Sequence, residues 1–168
     1  MSASTAALSG IPFRKLNIDQ YDEDTIHPSS LYTPDPRPSS QILQDTQSKD
    51  RKVRGMLQSS QVGDALKECL REGEWPYGED SDHSIKQAKA IQLSLILSVL
   101  NSSRSTDIPN LVQTLDSSEQ VLLMKYLYKA MENLGDSSGN AVLGWHEKLT
   151  EVAGIGCIVR VMTDRRRV

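Results

Sequence analysis

Apolar residues fall at helical spacing through most of this chain, and the elements can be laid out from that pattern. Val53, Met56 and Leu57 predict a short first helix, and Val62, Leu66, Cys69 and Leu70 predict a second, ended by Gly73 and the turn-like WPYGED. Asp82 or Ser84 can cap a long third helix running through Leu100, apolar on nearly every side of its second half and therefore expected to cross the middle of the domain. A shorter helix from about Pro109 to Leu115 follows. In DSSEQVLLMKYLYKAMENLG, Asp116 and Glu119 have capping-box spacing and Gly135 stands where a glycine stop belongs. The polar stripe of that helix is Lys125, Lys129 and Glu132, and Leu122, Leu123, Tyr126, Leu127, Ala130, Met131 and Leu134 take most of the rest. Val142, Trp145, His146, Leu149 and Val152 predict one apolar face of the next helix, ended by Gly154.

The last segment, GIGCIVRVMTDRRRV, is rich in Val and Ile and reads two ways. Ile155, Ile158, Val159 and Met162 fit a helix face, whereas Cys157, Val159 and Val161 fit an alternating strand. A lone strand would leave its backbone groups without partners, so a helix is expected. The sum is an all-α domain of about seven helices over residues 46–168, an irregular α-α superhelix or bundle.

Residues 1–45 differ in kind. Four of the prolines lie between Pro28 and Pro38, and the stretch from Asp22 to Gln47 has few apolar anchors, the composition of a stiffened linker. Upstream lies FRKLNIDQY, with Phe13, Leu16, Ile18 and Tyr21 close together. Burying those four on a partner would gain roughly 6 to 12 kcal/mol. Ordering the nine backbone residues would cost about as much. Such a segment binds usefully only when tethered to a body already docked nearby, where its effective concentration is about millimolar. Arg14, Lys15 and the acidic residues around them would set the register.

Charge follows the same division. The net charge of −3 resides in residues 1–45, which carry three basic and six acidic side chains and leave 16 of each sign for the remainder. A neutral body without a basic stripe argues against nucleic acid. The one cluster, Arg165 to Arg167, is expected to be a solvated chain end. The longest apolar run, Ile91 to Leu100, is about half of a membrane span, and the first residues lack a secretory pattern. A soluble protein of a reducing compartment is expected, with no membrane partner.

Catalytic constellations do not assemble on paper. HEKLT at His146 starts like a zinc motif but has Thr150 where the second histidine belongs, and Gly154-Ile155-Gly156 lacks the rest of a dinucleotide turn. Cys69 and Cys157 form no CxxC, and His27, His83 and His146 are scattered. Neither cofactor, metal nor small-molecule substrate is expected, and an enzyme is disfavoured. Surplus apolar surface, including Trp145, Tyr126 and Tyr128, points instead to binding or scaffolding.

FRKLNIDQYDED, LLMKYLYKAMEN and AVLGWHEKLTEVAGIGCIVRVMTDR together resemble the family of subunit 5 of the actin-related protein 2/3 complex, which nucleates branched actin filaments. The likeness is close over residues 13–24 and about 115–168. It implies a non-catalytic subunit of the cytoplasmic actin cytoskeleton, docked on scaffold subunits by its helical domain. An extended arm would hold the second actin-related protein through Phe13, Arg14, Lys15, Leu16, Ile18 and Tyr21. Trp145, His146, Ile158 and Arg160 fall in the matching C-terminal motif as candidate partner contacts, with the core as the other place for Trp145 and His146. The competing class is a free-standing helical adaptor whose tail recruits changing partners.

Overall fold

The structure is a computed structural model and describes residues 30–80, 82–132 and 139–168. The helical unit runs from Tyr32 to Val168. Among the described residues there are seven helices and no strand: α1 Ser39–Gln58, α2 Val62–Leu70, α3 His83–Ser102, α4 Ile108–Gln113, α5 Ser117–Glu132, α6 Gly139–Ala153 and α7 Ile155–Thr163. None of them is long and apolar enough to cross a membrane.

The central helix is α3, packed against α1, α2, α5 and α6. Asp82 caps it by accepting the Ser84 N–H at 3.0 Å, and Leu95, Ile96, Val99 and Leu100 are buried in its second half. A reciprocal box starts α5: the Asp116 N–H donates to Glu119 Oε2 at 2.9 Å, and the Glu119 N–H donates to Asp116 Oδ1 at 2.8 Å. The predicted stop at Gly135 lies outside the described residues. Between α6 and α7 only Gly154 intervenes, with φ of 72°, a left-handed conformation that glycine adopts without strain. The C-terminal segment is helical, as its lack of a strand partner required.

Helix α1 begins well before the first helical pattern seen at Val53. Its buried face is Ile42, Thr46, Lys49 and Val53, spaced i, i+4, i+7 and i+11, and two of these four are polar. Both are satisfied: the Thr46 hydroxyl donates to the Ile42 carbonyl at 2.8 Å, and Lys49 Nζ donates to the Glu74 carbonyl at 3.1 Å. Side chains that count as polar in a hydropathy pattern thus complete a packed face.

Two further expectations are corrected. Lys125 does not share an exposed stripe with Lys129 and Glu132. It is 6% exposed, donates to Asp164 Oδ2 at 2.6 Å and to the Arg166 carbonyl at 3.1 Å, and lies 5.1 Å from the centre of the Trp75 ring. Arg165 to Arg167 are more than a solvated end: the Arg165 and Arg167 side chains are exposed, but their backbone is held. Residues 164–168 form a strap whose carbonyls at Arg165 and Arg167 accept the N–H groups of Thr33 and Gly78, each at 3.1 Å. The Arg166 and Arg167 guanidinium groups lie 5.5 Å over the rings of Trp75 and Tyr32 respectively, and the Val168 side chain joins the core. Backbone hydrogen bonds and ring stacking order a segment whose charges alone read as solvent-seeking.

The end of the proline-rich stretch is fastened the same way. Asp35 accepts from the Arg37 N–H, Nε and Nη2 at 3.1, 2.9 and 2.6 Å, and Arg37 Nη2 also donates to the Trp75 carbonyl at 3.0 Å. Gly78, with φ of 110°, lets this segment pass close by: a Cβ there would sit 3.4 Å from the Asp35 nitrogen. Few apolar side chains are needed because polar ties do the ordering.

Candidate functional site

The groups with chemical potential lie apart or inside. Cys69 is fully buried, and desolvation pushes its thiol pKa up to about 12, so no thiolate forms near neutral pH. Desolvation also raises Cys157, which donates to the Gln120 carbonyl at 3.6 Å, and burial raises Tyr126. Among the described residues no three His, Cys, Asp or Glu side chains gather as a metal set.

Surface shape is more informative, and it centres on α7. Seen down its axis, Cys157 is buried and Ile158 and Val161 are half-buried against the core. On the opposite side Ile155, Val159 and Met162 are 73%, 52% and 79% exposed, a stripe at i, i+4 and i+7. Helix α7 carries no carboxylate, and Arg160 lies about 100° round the helix from Val159, on the side of α5. Arg160 Nη1 donates to the Ser117 hydroxyl at 2.8 Å. Arg160 and Thr163 also line a groove of about 380 Å³ between α7, α5 and the loop after α2, whose walls carry Lys125 and Arg166, both paired with Asp164, together with Glu72 and Trp75.

The residues expected at a partner surface fall in different places. Phe13, Arg14, Lys15, Leu16, Ile18 and Tyr21 lie outside the described residues. Trp145 is 1% exposed, its Nε1–H directed to the Leu100 carbonyl at 3.4 Å and the Ser103 hydroxyl at 3.2 Å, so its side chain belongs to the core. His146 is half-buried, with a ring nitrogen 3.2 Å from the Tyr128 hydroxyl and the two rings edge-on at 5.4 Å. Ile158 is half-buried and Arg160 exposed. The surplus apolar surface exists, but at different residues: Trp145 and Tyr126 are hidden, whereas Ile155, Val159 and Met162 are outside. The signal for them was present in the sequence, since α7 is apolar on both faces and a helix at the edge of a domain can bury only one.

The helical unit thus shows an apolar helix face at its surface and, among the described residues, no metal set. Comparison with known proteins assigns the lineage. The family described as ARP2/3 complex 16 kDa subunit (p16-Arc) matches residues 12–168. Actin-related protein 2/3 complex subunit 5-C of Xenopus laevis is 35% identical over 156 residues, spanning 93% of this chain and 94% of its own. The human subunit 5-like protein is 31% identical over 162 residues with the same coverage, and subunit 5 of Saccharomyces cerevisiae is 30% identical over 158 residues, covering 93% of this chain and 97% of its own. The chain belongs to the p16-Arc family.

Proposed function

We propose that this chain is a structural subunit of an actin-related protein 2/3 complex in the cytoplasmic actin cytoskeleton, supporting nucleation of branched filaments. Its helical unit docks on scaffold subunits. Residues 13–21 tether the second actin-related protein, with Phe13, Leu16, Ile18 and Tyr21 supplying the apolar contacts and Arg14 and Lys15 the register. Chemistry, on this reading, belongs to other subunits.

The observation that carries the reading is the span of the family match, which begins at residue 12 and so takes in the adhesive segment as well as every helix. Were the first residues a leader without a role, nothing would require them to follow the family as the helices do. The fastening of Thr33, Asp35 and Arg37 to the helical unit supports the tether as well, because a leash acts only if its root is held.

Deleting residues 1–27 from the chain in its native complex tests the division of labour. The shortened chain is expected to stay in one large particle by gel filtration while the actin-related subunit dissociates more readily and branched nucleation falls. Unchanged retention and nucleation would remove the tether from the reading. A full-length chain that runs free, or in complexes of varied size, would remove the subunit role itself in favour of an adaptor.

A further inference from the structure

Of the seven prolines in the chain only Pro34 follows a hydroxyl residue, in the pair Thr33-Pro34. Thr33 precedes α1, lies outside any helix and is exposed, and the proline after it disfavours helical backbone there. An exposed, extended Thr-Pro is the form that proline-directed protein kinases accept. The other kinase-like spacing, Arg37 three residues before Ser40, is spoiled by the fold: Ser40 is inside α1, and Arg37 is bound to Asp35 and to the Trp75 carbonyl. Arginines flank Thr33. Exposure alternates along the strap, with Arg165 and Arg167 outside, Arg166 half-buried over Trp75 and Val168 in the core, the period of extended chain. The Thr33 N–H donates to the Arg165 carbonyl at 3.1 Å, and the Arg167 guanidinium lies 5.5 Å over the ring of the neighbouring Tyr32. Neither outer arginine forms an ion pair within 4.0 Å among the described residues, although Arg167 lies near the carboxylates of Asp80 and Glu132. The carboxylate two residues after Thr33, Asp35, is taken up by Arg37 at 2.6 Å.

We propose that Thr33 is a phosphorylation site for a proline-directed protein kinase, and that Arg165 and Arg167 hold the phosphate and so lock the strap onto the segment that precedes α1. In the transfer, Thr33 Oγ attacks the γ-phosphorus of ATP. The new O–P bond forms as the bond from that phosphorus to the oxygen bridging the β- and γ-phosphates breaks; ADP leaves with the electron pair, and the hydroxyl proton is released. A phosphothreonine carries about −1.5 to −2 charges near neutral pH and three strong acceptor oxygens, and guanidinium groups meet such oxygens in pairs. Strap and segment are already joined there by the Thr33 backbone bond and the stacking of Arg167 on Tyr32, so charge-assisted bonds add to a contact in place and the phosphate tightens it. That the tightening firms the root of a tether rests on the tether reading; the phosphate and its arginines do not.

Treating the full chain in its native complex with a cyclin-dependent kinase and magnesium ATP tests this. Mass spectrometry is expected to find one phosphate, on Thr33, and none on the Thr33→Val chain. Amide exchange is then expected to slow about tenfold at Thr33 and Gly78, whose N–H groups bond the strap carbonyls. In a chain carrying Arg165→Gln and Arg167→Gln the phosphate should still go on, but the slowing should be mostly lost. Each variant is compared with its own unphosphorylated form; should the double variant lose the strap beforehand, Arg165→Gln alone serves, since the Arg165 side chain is exposed. A Thr33 that the kinase ignores, whether or not it modifies a free peptide of residues 28–40, overturns the proposal. So does faster or unchanged exchange on phosphorylation, or slowing that survives without the two arginines. With the clamp formed, the actin-related subunit is expected to leave the phosphorylated complex more slowly than the treated Thr33→Val complex; equal rates would remove the firmer root from the proposal. The tether reading fails separately, by deletion of residues 1–27 without effect.

Discussion

Among the described residues three lysines are buried, and each is spent on irregular backbone. Lys49 holds the Glu74 carbonyl, Lys89 holds the Gly78 carbonyl at 2.7 Å, and Lys125 holds the Arg166 carbonyl. Desolvation lowers the pKa of all three, and the carboxylates of Glu74, Asp80 and Asp164 offset part of that loss. Loops without a helix or ladder of their own thereby have buried acceptors satisfied by cations reaching out of α1, α3 and α5. The loop after α2 also depends on its glycines, Gly73 with φ of 77° and, more tightly placed, Gly78. Gly78 combines φ of 110° with an approach to Asp35 that a Cβ would enter at 3.4 Å. Gly78→Ala is therefore expected to destabilise the unit by about 1 to 3 kcal/mol, chiefly through backbone strain. Urea unfolding followed by circular dichroism checks this, and an unchanged midpoint would mean that the backbone relaxes freely there.

At the level of elements, legibility in the sequence tracked how conventional each helix's buried face is. The start of α5 was readable because the box of Asp116 and Glu119 is a local signal complete within four residues, and its reciprocal bonds are both formed. Asp116→Ala should cost about 1 kcal/mol of stability through the orphaned Glu119 N–H. Asp116→Asn should cost less, and equal losses for the two in thermal melts would place the effect elsewhere. Helix α3 was readable from its capping residue and its apolar density. The opening turns of α1 were not, because Thr46 and Lys49 fill core-facing positions through bonds to Ile42 and Glu74 that no hydropathy pattern encodes. Helix α7 was legible as a helix but not in its orientation. Its nine residues are apolar on both faces, and only packing on α5 and α6 decides that Cys157 goes in while Ile155 and Met162 stay out. The candidate site inherits that ambiguity. The stripe was present in the sequence as apolar residues at helical spacing, but its exposure is a tertiary property. Lys125 likewise looked like a surface residue until the strap from α7 supplied Asp164 as its partner.

The helical unit has a body of packed helices and a thin polar layer, and acid should separate the two. Residues 32–37, 74–80 and 164–168 carry Asp35, Asp80 and Asp164, each tied to a cation: Arg37 at 2.6 Å, Lys89 at 2.7 Å and Lys125 at 2.6 Å. Burial pushes all three carboxyl pKa values up, but hydrogen bonds from those cations outweigh it and hold each below its ordinary 3.8. With the folded-state pKa depressed, the unfolded chain binds more protons in the window between the two values. The stability these ties contribute is thus fully present above about pH 4 and is lost as pH falls through the lower folded-state values. Leu123 and Leu127, in the middle of α5, are buried among apolar side chains and take no part in those ties. On lowering pH, the amide protons of Thr33 and Gly78, which bond the strap carbonyls at 3.1 Å, are expected to lose protection from exchange before those of Leu123 and Leu127 in the core. Asp164→Asn should release the strap already at neutral pH and flatten its acid response, because an amide cannot replace the charge facing Lys125. Simultaneous loss of protection at all four amides would show that strap, loop and bundle unfold as one cooperative unit, and that the polar layer has no separate stability.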